Sequence, residues 1–258
     1  METLTMPEHS VKAERLETDT SPKASSESEH IGQFTEQARQ RMKQRRAAST
    51  ESRPSAAIVA EKELLRAIGR RYCECTLDNY LIDTSLPATD QDRQRRAVTE
   101  IGEFLNELPT QIDAGRNLIL YGTVGTGKDH LMAVACKAAA AANKTVRWRN
   151  ASDVFTDAKA TWGKRGESVD DILKPLQQAD ILALSDPIPA VGDIDAHEIR
   201  WLLSLIDKRY RDMKPTWVTL NAKDGADARR ALSHQVIDRL QHNALVIDMK
   251  WNSYRVKR

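Results

Sequence analysis

The segment Gly122-Thr-Val-Gly-Thr-Gly-Lys-Asp129 combines three glycines and a lysine at the spacing of a phosphate-binding loop. Glycines let the backbone curl so that successive N–H groups point inward at phosphate oxygens. The positive N-terminal end of a following helix adds to that attraction. Lys128 reaches the β- and γ-phosphates as a point charge. Gly122, Thr123, Val124, Gly125, Thr126, Gly127, Lys128 and Asp129 are therefore the candidate nucleotide-binding residues. The position after the lysine ordinarily carries Ser or Thr, whose hydroxyl ligates Mg²⁺. Here it carries Asp129. A carboxylate 4 Å from a phosphate charge is repelled by about 4 kcal/mol at an effective dielectric near 20, unless a cation lies between them.

A P-loop ATPase also needs acids at the end of a buried strand, one for the metal's water shell and the next to polarise the attacking water. The matching run is Ile181-Leu-Ala-Leu-Ser185-Asp186. Ser185 stands where the metal-side carboxylate belongs, and Asp186 stands at the catalytic, water-activating position. The two departures complement each other: the loop hydroxyl has become Asp129 and the strand carboxylate has become Ser185. In an ordinary site these side chains are hydrogen-bonded neighbours at the metal. The expectation is an exchanged Mg²⁺-binding pair, Asp129 and Ser185. Independent decay of both positions in an inactive relative is the alternative.

The elements that must position these residues follow from periodicity. Asn117–Tyr121 reads as a buried strand ending in the loop, and His130–Ala142 as a helix rich in alanine. Further strands are expected at Thr145–Arg149, Ile181–Leu184, Thr216–Leu220 and Ala244–Ile247. Helices are expected at Ser55–Arg70, Asp90–Leu108, Ser152–Lys164 (with Ser152 as N-cap), Asp195–Arg211 and Ala226–Leu240. The segment CECTLDNY, residues 73–80, reads as strand-like. Strands alternating with helices imply an α/β fold with a parallel sheet covered on both faces.

Residues 1–54 are poor in aromatics and rich in Ser, Thr, Glu, Gln and Lys. That composition implies a largely disordered, partner-binding extension with one or two helices. One helix is expected at Phe34–Ala48, where Arg39–Arg46 form a basic block. Residues 55–89 read as a helix and lead-in, and 90–258 as the ATP-binding domain. The net charge of +2 over 258 residues neither demands nor excludes nucleic acid. No run of 18 apolar residues offers a membrane span, and the N-terminus lacks the apolar core of a secretory signal. Three cysteines form no even framework, which points to the reducing cytoplasm. Cys73-Glu-Cys75 supplies half of a zinc ligand set at most.

From about Arg70 onward the chain resembles the DnaC/IstB-like AAA+ group of helicase loaders and transposition helpers. The resemblance rests on Arg70–Tyr80 as lead-in, Leu120–Lys128 as phosphate loop, Thr219-Leu-Asn221, Val236–Leu240 and Trp251–Arg255. It implies a five-stranded sheet ordered 5-1-4-3-2 with no C-terminal lid domain. It further implies that Asn221 reads the γ-phosphate, that Arg239 is an arginine finger and that Arg255 is a second sensor. An arginine commonly found four residues before the finger is replaced by Gln235. The implied cofactors are ATP and Mg²⁺. The implied partners are single-stranded DNA, a replicative helicase or a transposase, and further copies of the chain. Lys159, Lys164 and Arg165 are candidate DNA contacts. Three readings stay open: a loader in DNA replication with weak ATPase activity, a transposition helper, and a hydrolysis-deficient adaptor. Asp129, Ser185 and Gln235 leave ATP hydrolysis undecided.

Overall fold

The computed structural model describes residues 55–254, apart from 191, together with Gln40. The helix expected at Phe34–Ala48, apart from Gln40, and the sensor candidate Arg255 lie outside the described residues. In chain order the elements are α1 (Ser55–Ile68), α2 (Arg70–Cys73), α3 (Ala88–Asn106), α4 (Leu108–Asp113), β1 (Asn117–Tyr121), α5 (Lys128–Ala141), β2 (Val146–Asn150) and α6 (Ala151–Ala160). There follow α7 (Val169–Gln178), β3 (Ile181–Ser185), α8 (Ala196–Arg211), β4 (Thr216–Leu220), α9 (Gly225–Leu232), α10 (His234–Gln241) and β5 (Ala244–Asp248).

The five strands form one sheet in the order β2-β3-β4-β1-β5, and every neighbouring pair is parallel. This is the expected order, 5-1-4-3-2, read from the other edge. Strand alternation builds two cores from one apolar sheet. Leu118, Leu120, Ile181, Ala183 and Trp217 face the layer of α1, α3 and α5, where they meet Leu64, Ile101, Phe104 and Leu131. Ile119, Leu182, Leu184, Val218 and Leu220 face the opposite layer, where they meet Leu202, Leu205, Ile206, Val236 and Leu240. Helix α5 packs on the sheet with Ala133, Ala135 and Ala139 fully buried.

Local chemistry corrects several expected elements. Residues 73–80 are not a strand: Cys73 ends α2 and residues 74–80 follow as turns, and the Cys73 and Cys75 thiols donate to backbone carbonyls of Gly69 and Arg71. Ser152 is not the cap of α6; Asn150 is, with its side-chain oxygen accepting from Ser152 N at 2.9 Å. The helix expected at Ala226–Leu240 breaks at Ser233, whose φ of 74° ends α9 while its hydroxyl caps α10. Helix α7 was not expected at all. Its Pro175 suggests a breaker, yet the Ser168–Asp171 capping box starts the helix and Leu173 and Leu176 bury its apolar face.

Asp195 caps α8, accepting from His197 N at 2.8 Å and Glu198 N at 2.9 Å, and pairs with Lys159 at 2.7 Å. The Lys159 hydrogen bond first, and the cap amides after it, hold its carboxyl at about 2. A depressed carboxyl contributes stability above its unfolded value, and the contribution disappears as pH falls through the folded one. NMR titration is therefore expected to give Asp195 a midpoint near 2, with the capping contribution fading between about pH 4 and 2. A midpoint at the ordinary aspartate value would contradict the capped, paired geometry.

Candidate functional site

The phosphate loop joins the carboxyl end of β1 to the first turn of α5. Its glycines are required by space as well as by angle. Gly122 has φ 150°, and a Cβ there would lie 2.3 Å from Met249 O. Gly127 has φ 92°, and a Cβ there would lie 2.8 Å from the Tyr80 ring. Carbonyl oxygens of the loop are held by donors around it. Tyr80 Oη and Trp251 Nε1 both donate to Thr126 O, at 2.9 and 3.1 Å, and Tyr254 N donates to Gly125 O at 3.0 Å. Thr123 Oγ1 in turn donates to Trp251 O at 3.1 Å. Lys128 is buried, and its Nζ donates to Gly122 O at 3.0 Å and Thr123 O at 2.6 Å. A loop whose carbonyls are committed in this way is fixed in shape, and curled glycine backbone turns its N–H groups toward an anion.

Asp129 occupies the first turn of α5, where the positive helix end favours a carboxylate. Ser185 Oγ donates to Asp129 Oδ1 at 3.1 Å. Thr219 Oγ1 lies 3.1 Å from the same oxygen and 3.3 Å from Ser185 Oγ. Ser185 and Thr219 are register partners across β3 and β4, and both are buried. Tyr72 Oη, from α2, is 3.4 Å from Asp129 Oδ2.

Just beyond the strand ends, Asn221 Nδ2 donates to Asp186 Oδ1 at 2.7 Å. Asp186 adopts φ 47°, a left-handed conformation uncommon outside glycine, Asn and Asp. Its amide is held by Thr219 O at 3.2 Å. Thus the loop, the Asp129–Ser185 pair and the Asp186–Asn221 pair gather at the carboxyl edge of one parallel sheet, the usual place for ligands in such folds. A cleft of about 540 Å³ opens there, lined by Tyr72, Gly125, Lys128, Asp129, Asp186 and Asn221 among others. That volume is of ligand-pocket size.

The lead-in is stitched to the loop helix. Lys137 Nζ donates to Cys73 O at 2.6 Å and also to Cys75 O, and a His130 ring nitrogen lies 2.8 Å from Thr76 O. Burial lowers the His130 pKa below the usual histidine value. Tyr80 stacks edge-on against both His130 and Tyr254, and burial pushes its phenol up.

Other candidates lie elsewhere. Arg239 is not at the chain's own loop. Its backbone carbonyl accepts from Asn117 Nδ2 at the opposite end of β1, and its Nε donates to Asp207 at 2.6 Å. Lys159 pairs with Asp195 and Glu198, and Lys164 with Glu167. Thr219 and Tyr72 were not singled out as site residues. The expected adjacency of β3 and β4 could have revealed Thr219 as the hydroxyl beside Ser185. No comparable signal marked Tyr72.

Comparison with known proteins gives a consistent family. A family model described as IstB-like ATP binding protein matches residues 27–258. The replicative helicase loader DnaC of Escherichia coli K12 is 25% identical over 182 residues, spanning 70% of this chain and 69% of DnaC. An insertion-sequence protein of Mycobacterium tuberculosis, named as ATP-binding, is 30% identical over 156 residues, spanning 57% of this chain and 59% of its own. Among solved structures, the DnaC helicase loader superposes with a TM-score of 0.58 at 21% identity, covering 70% of this chain and 100% of that one. The replication initiator DnaA bound to AMPPCP and single-stranded DNA gives 0.55 at 18% identity, covering 72% and 51%. Both structural likenesses concern the fold.

Proposed function

The chain belongs to the IstB-like ATP-binding protein family, and from that premise we propose that it is a helicase-loader-like factor of DNA replication, binding ATP and assembling on single-stranded DNA with a replicative helicase. The observation that carries the nucleotide part is the loop around Lys128. It is a glycine-rich loop in which a Cβ at Gly122 would collide with Met249 O and one at Gly127 with the Tyr80 ring, so only glycine keeps its curl, and it opens on a cleft of about 540 Å³. Gly122 through Lys128 would hold the phosphates. Mg²⁺ fits the Asp129 carboxylate, with the Ser185 hydroxyl bonded to it, and would supply charge neutralisation when bound. Asp186 would position the attacking water, and its bond to Asn221 supports a role for that amide beside the terminal phosphate. Arg239 would act on the nucleotide of a neighbouring copy, because its own loop lies at the other end of the sheet. Arg255 is proposed as the second sensor. The helicase part rests on the likeness to DnaC, which spans more than two thirds of both chains.

The likeness to an insertion-sequence ATP-binding protein supports a second reading, a transposition helper with the same core and a different partner. Capture of purified partners separates the two. With Mg²⁺, ATP and single-stranded DNA, the chain is expected to retain a hexameric replicative helicase and to turn over ATP faster than without DNA. Retention of a transposase in its place would favour the second reading. Retention of neither partner would contradict both and leave an adaptor.

A further inference from the structure

The Asp129 carboxylate is arranged asymmetrically. Its Oδ1 takes both strand hydroxyls, Ser185 and Thr219, each at 3.1 Å. Its Oδ2 lies on the side of Tyr72, whose hydroxyl makes the longer contact of 3.4 Å. Two hydroxyls on one oxygen fix the carboxyl plane and leave the other oxygen for a stronger partner. Asp129 and Lys128 line the same cleft, so any phosphate held by the lysine meets this carboxylate's charge.

Resting on the nucleotide-binding reading above, we propose that the carboxylate of the metal site has moved from the sheet to the helix in this chain. Asp129 is the metal-ligating carboxylate, through Oδ2, and Ser185 and Thr219 are positioning residues that orient it through Oδ1. The exchange keeps one carboxylate and at least one hydroxyl within bonding distance, as a P-loop metal site requires, but it reverses which element carries the charge. A negative charge beside the loop also makes nucleotide binding conditional on the cation. Without a divalent ion the carboxylate would repel the triphosphate; with one, the same carboxylate would hold the ion, whose charge offsets that of the phosphates.

The test is equilibrium binding of a fluorescent ATP analogue in Mg²⁺ and in EDTA. It compares the native chain with Asp129→Thr, Ser185→Asp and the double variant, with melting curves confirming that each folds. The native affinity is expected to fall on the order of a hundredfold in EDTA. Asp129→Thr is expected to bind better than native in EDTA and to gain less than about tenfold from Mg²⁺, because the repulsion is gone and a neutral hydroxyl replaces the charged ligand. Ser185→Asp, with two adjoining carboxylates, is expected to bind worst in EDTA. The double variant is expected to recover the native Mg²⁺ dependence. If either threonine or aspartate replacement fails to fold, Asp129→Asn keeps the shape and loses the charge, and it is expected to follow Asp129→Thr. Bound Mn²⁺ detected by electron paramagnetic resonance is expected with native protein and nucleotide, and to be lost in Asp129→Asn.

Equal native affinity in Mg²⁺ and EDTA would overturn the proposal while leaving the nucleotide site standing. So would strictly additive single-variant effects, since coupled neighbours depart from additivity. An absence of native binding in both media would instead defeat the nucleotide site itself, and the exchange with it.

Discussion

Lys128→Ala is expected to weaken ATP binding by about a hundredfold or more while the protein still folds. The Nζ is now held by Gly122 O and Thr123 O, two carbonyls of the loop it serves. Those bonds keep the buried lysine at the lining of the cleft, beside the curled backbone of the loop. Charge-assisted hydrogen bonds to phosphate contribute about 1.5–3 kcal/mol each, so losing contact with two phosphates approaches two to four decades of affinity. The loop itself keeps its outer clamps from Tyr80, Trp251 and Tyr254. Melting should therefore shift by a few degrees at most. Titration calorimetry on the native chain and the variant checks this. A loss below tenfold would mean that the lysine does not touch phosphate.

The second large effect concerns stability. Arg209 is completely buried, yet among the described residues its guanidinium hydrogen-bonds no carboxylate. It donates to Leu176 O, Gln177 O and Ala179 O at the end of α7, to Asp180 O before β3, and to Pro215 O and Thr216 Oγ1 at the start of β4. The carbonyl end of a helix suits a cation, and these oxygens have no partner further along α7. Burial draws the guanidinium down to about 9, so it stays charged at neutral pH. One side chain thus ties together the amino-terminal ends of two adjacent strands. Arg209→Met fills much of the volume but strands the carbonyls. It is expected to cost about 3–5 kcal/mol, as breaking buried charged networks does. For a domain of this size that is a fall of about 10 °C or more in Tm. Urea unfolding monitored by the buried Trp217 would measure it. A loss under about 1 kcal/mol would show that water or a backbone shift satisfies the oxygens instead.

Arg209 also shows where sequence reading fails. It falls at the apolar repeat of α8, after Leu202, Leu205 and Ile206, where periodicity calls for a hydrophobic residue. Nothing in a one-dimensional pattern says that six acceptors from two other loops converge there. The sheet was legible because every strand is a short apolar run between turn residues, and because the family resemblance supplied its order. Helix α7 was hidden by Pro175. Pro175 forfeits one N–H bond to the preceding turn, about 3 kcal/mol in a helix interior, and the burial of Leu173 and Leu176, about 1.5–3 kcal/mol each, offsets it. Ser233 reads as an interior helical residue in the sequence, and no local signal announces its positive φ. At the site, the contact between Asp129 and Ser185 could be read from two complementary departures. Thr219 needed the β3–β4 register, and Tyr72 needed the fold of the lead-in over α5.

The central claim is that the amides and lysine between Gly122 and Lys128 grip a triphosphate at the carboxyl edge of the sheet. A crystal structure of the chain with Mg²⁺ and a non-hydrolysable ATP analogue tests it most directly. The β- and γ-phosphate oxygens are expected within hydrogen-bonding distance of Lys128 Nζ and of the loop N–H groups, with Asp129 still bonded to Ser185. A triphosphate bound away from that loop, or a loop that stays unliganded at saturating nucleotide, would contradict the account.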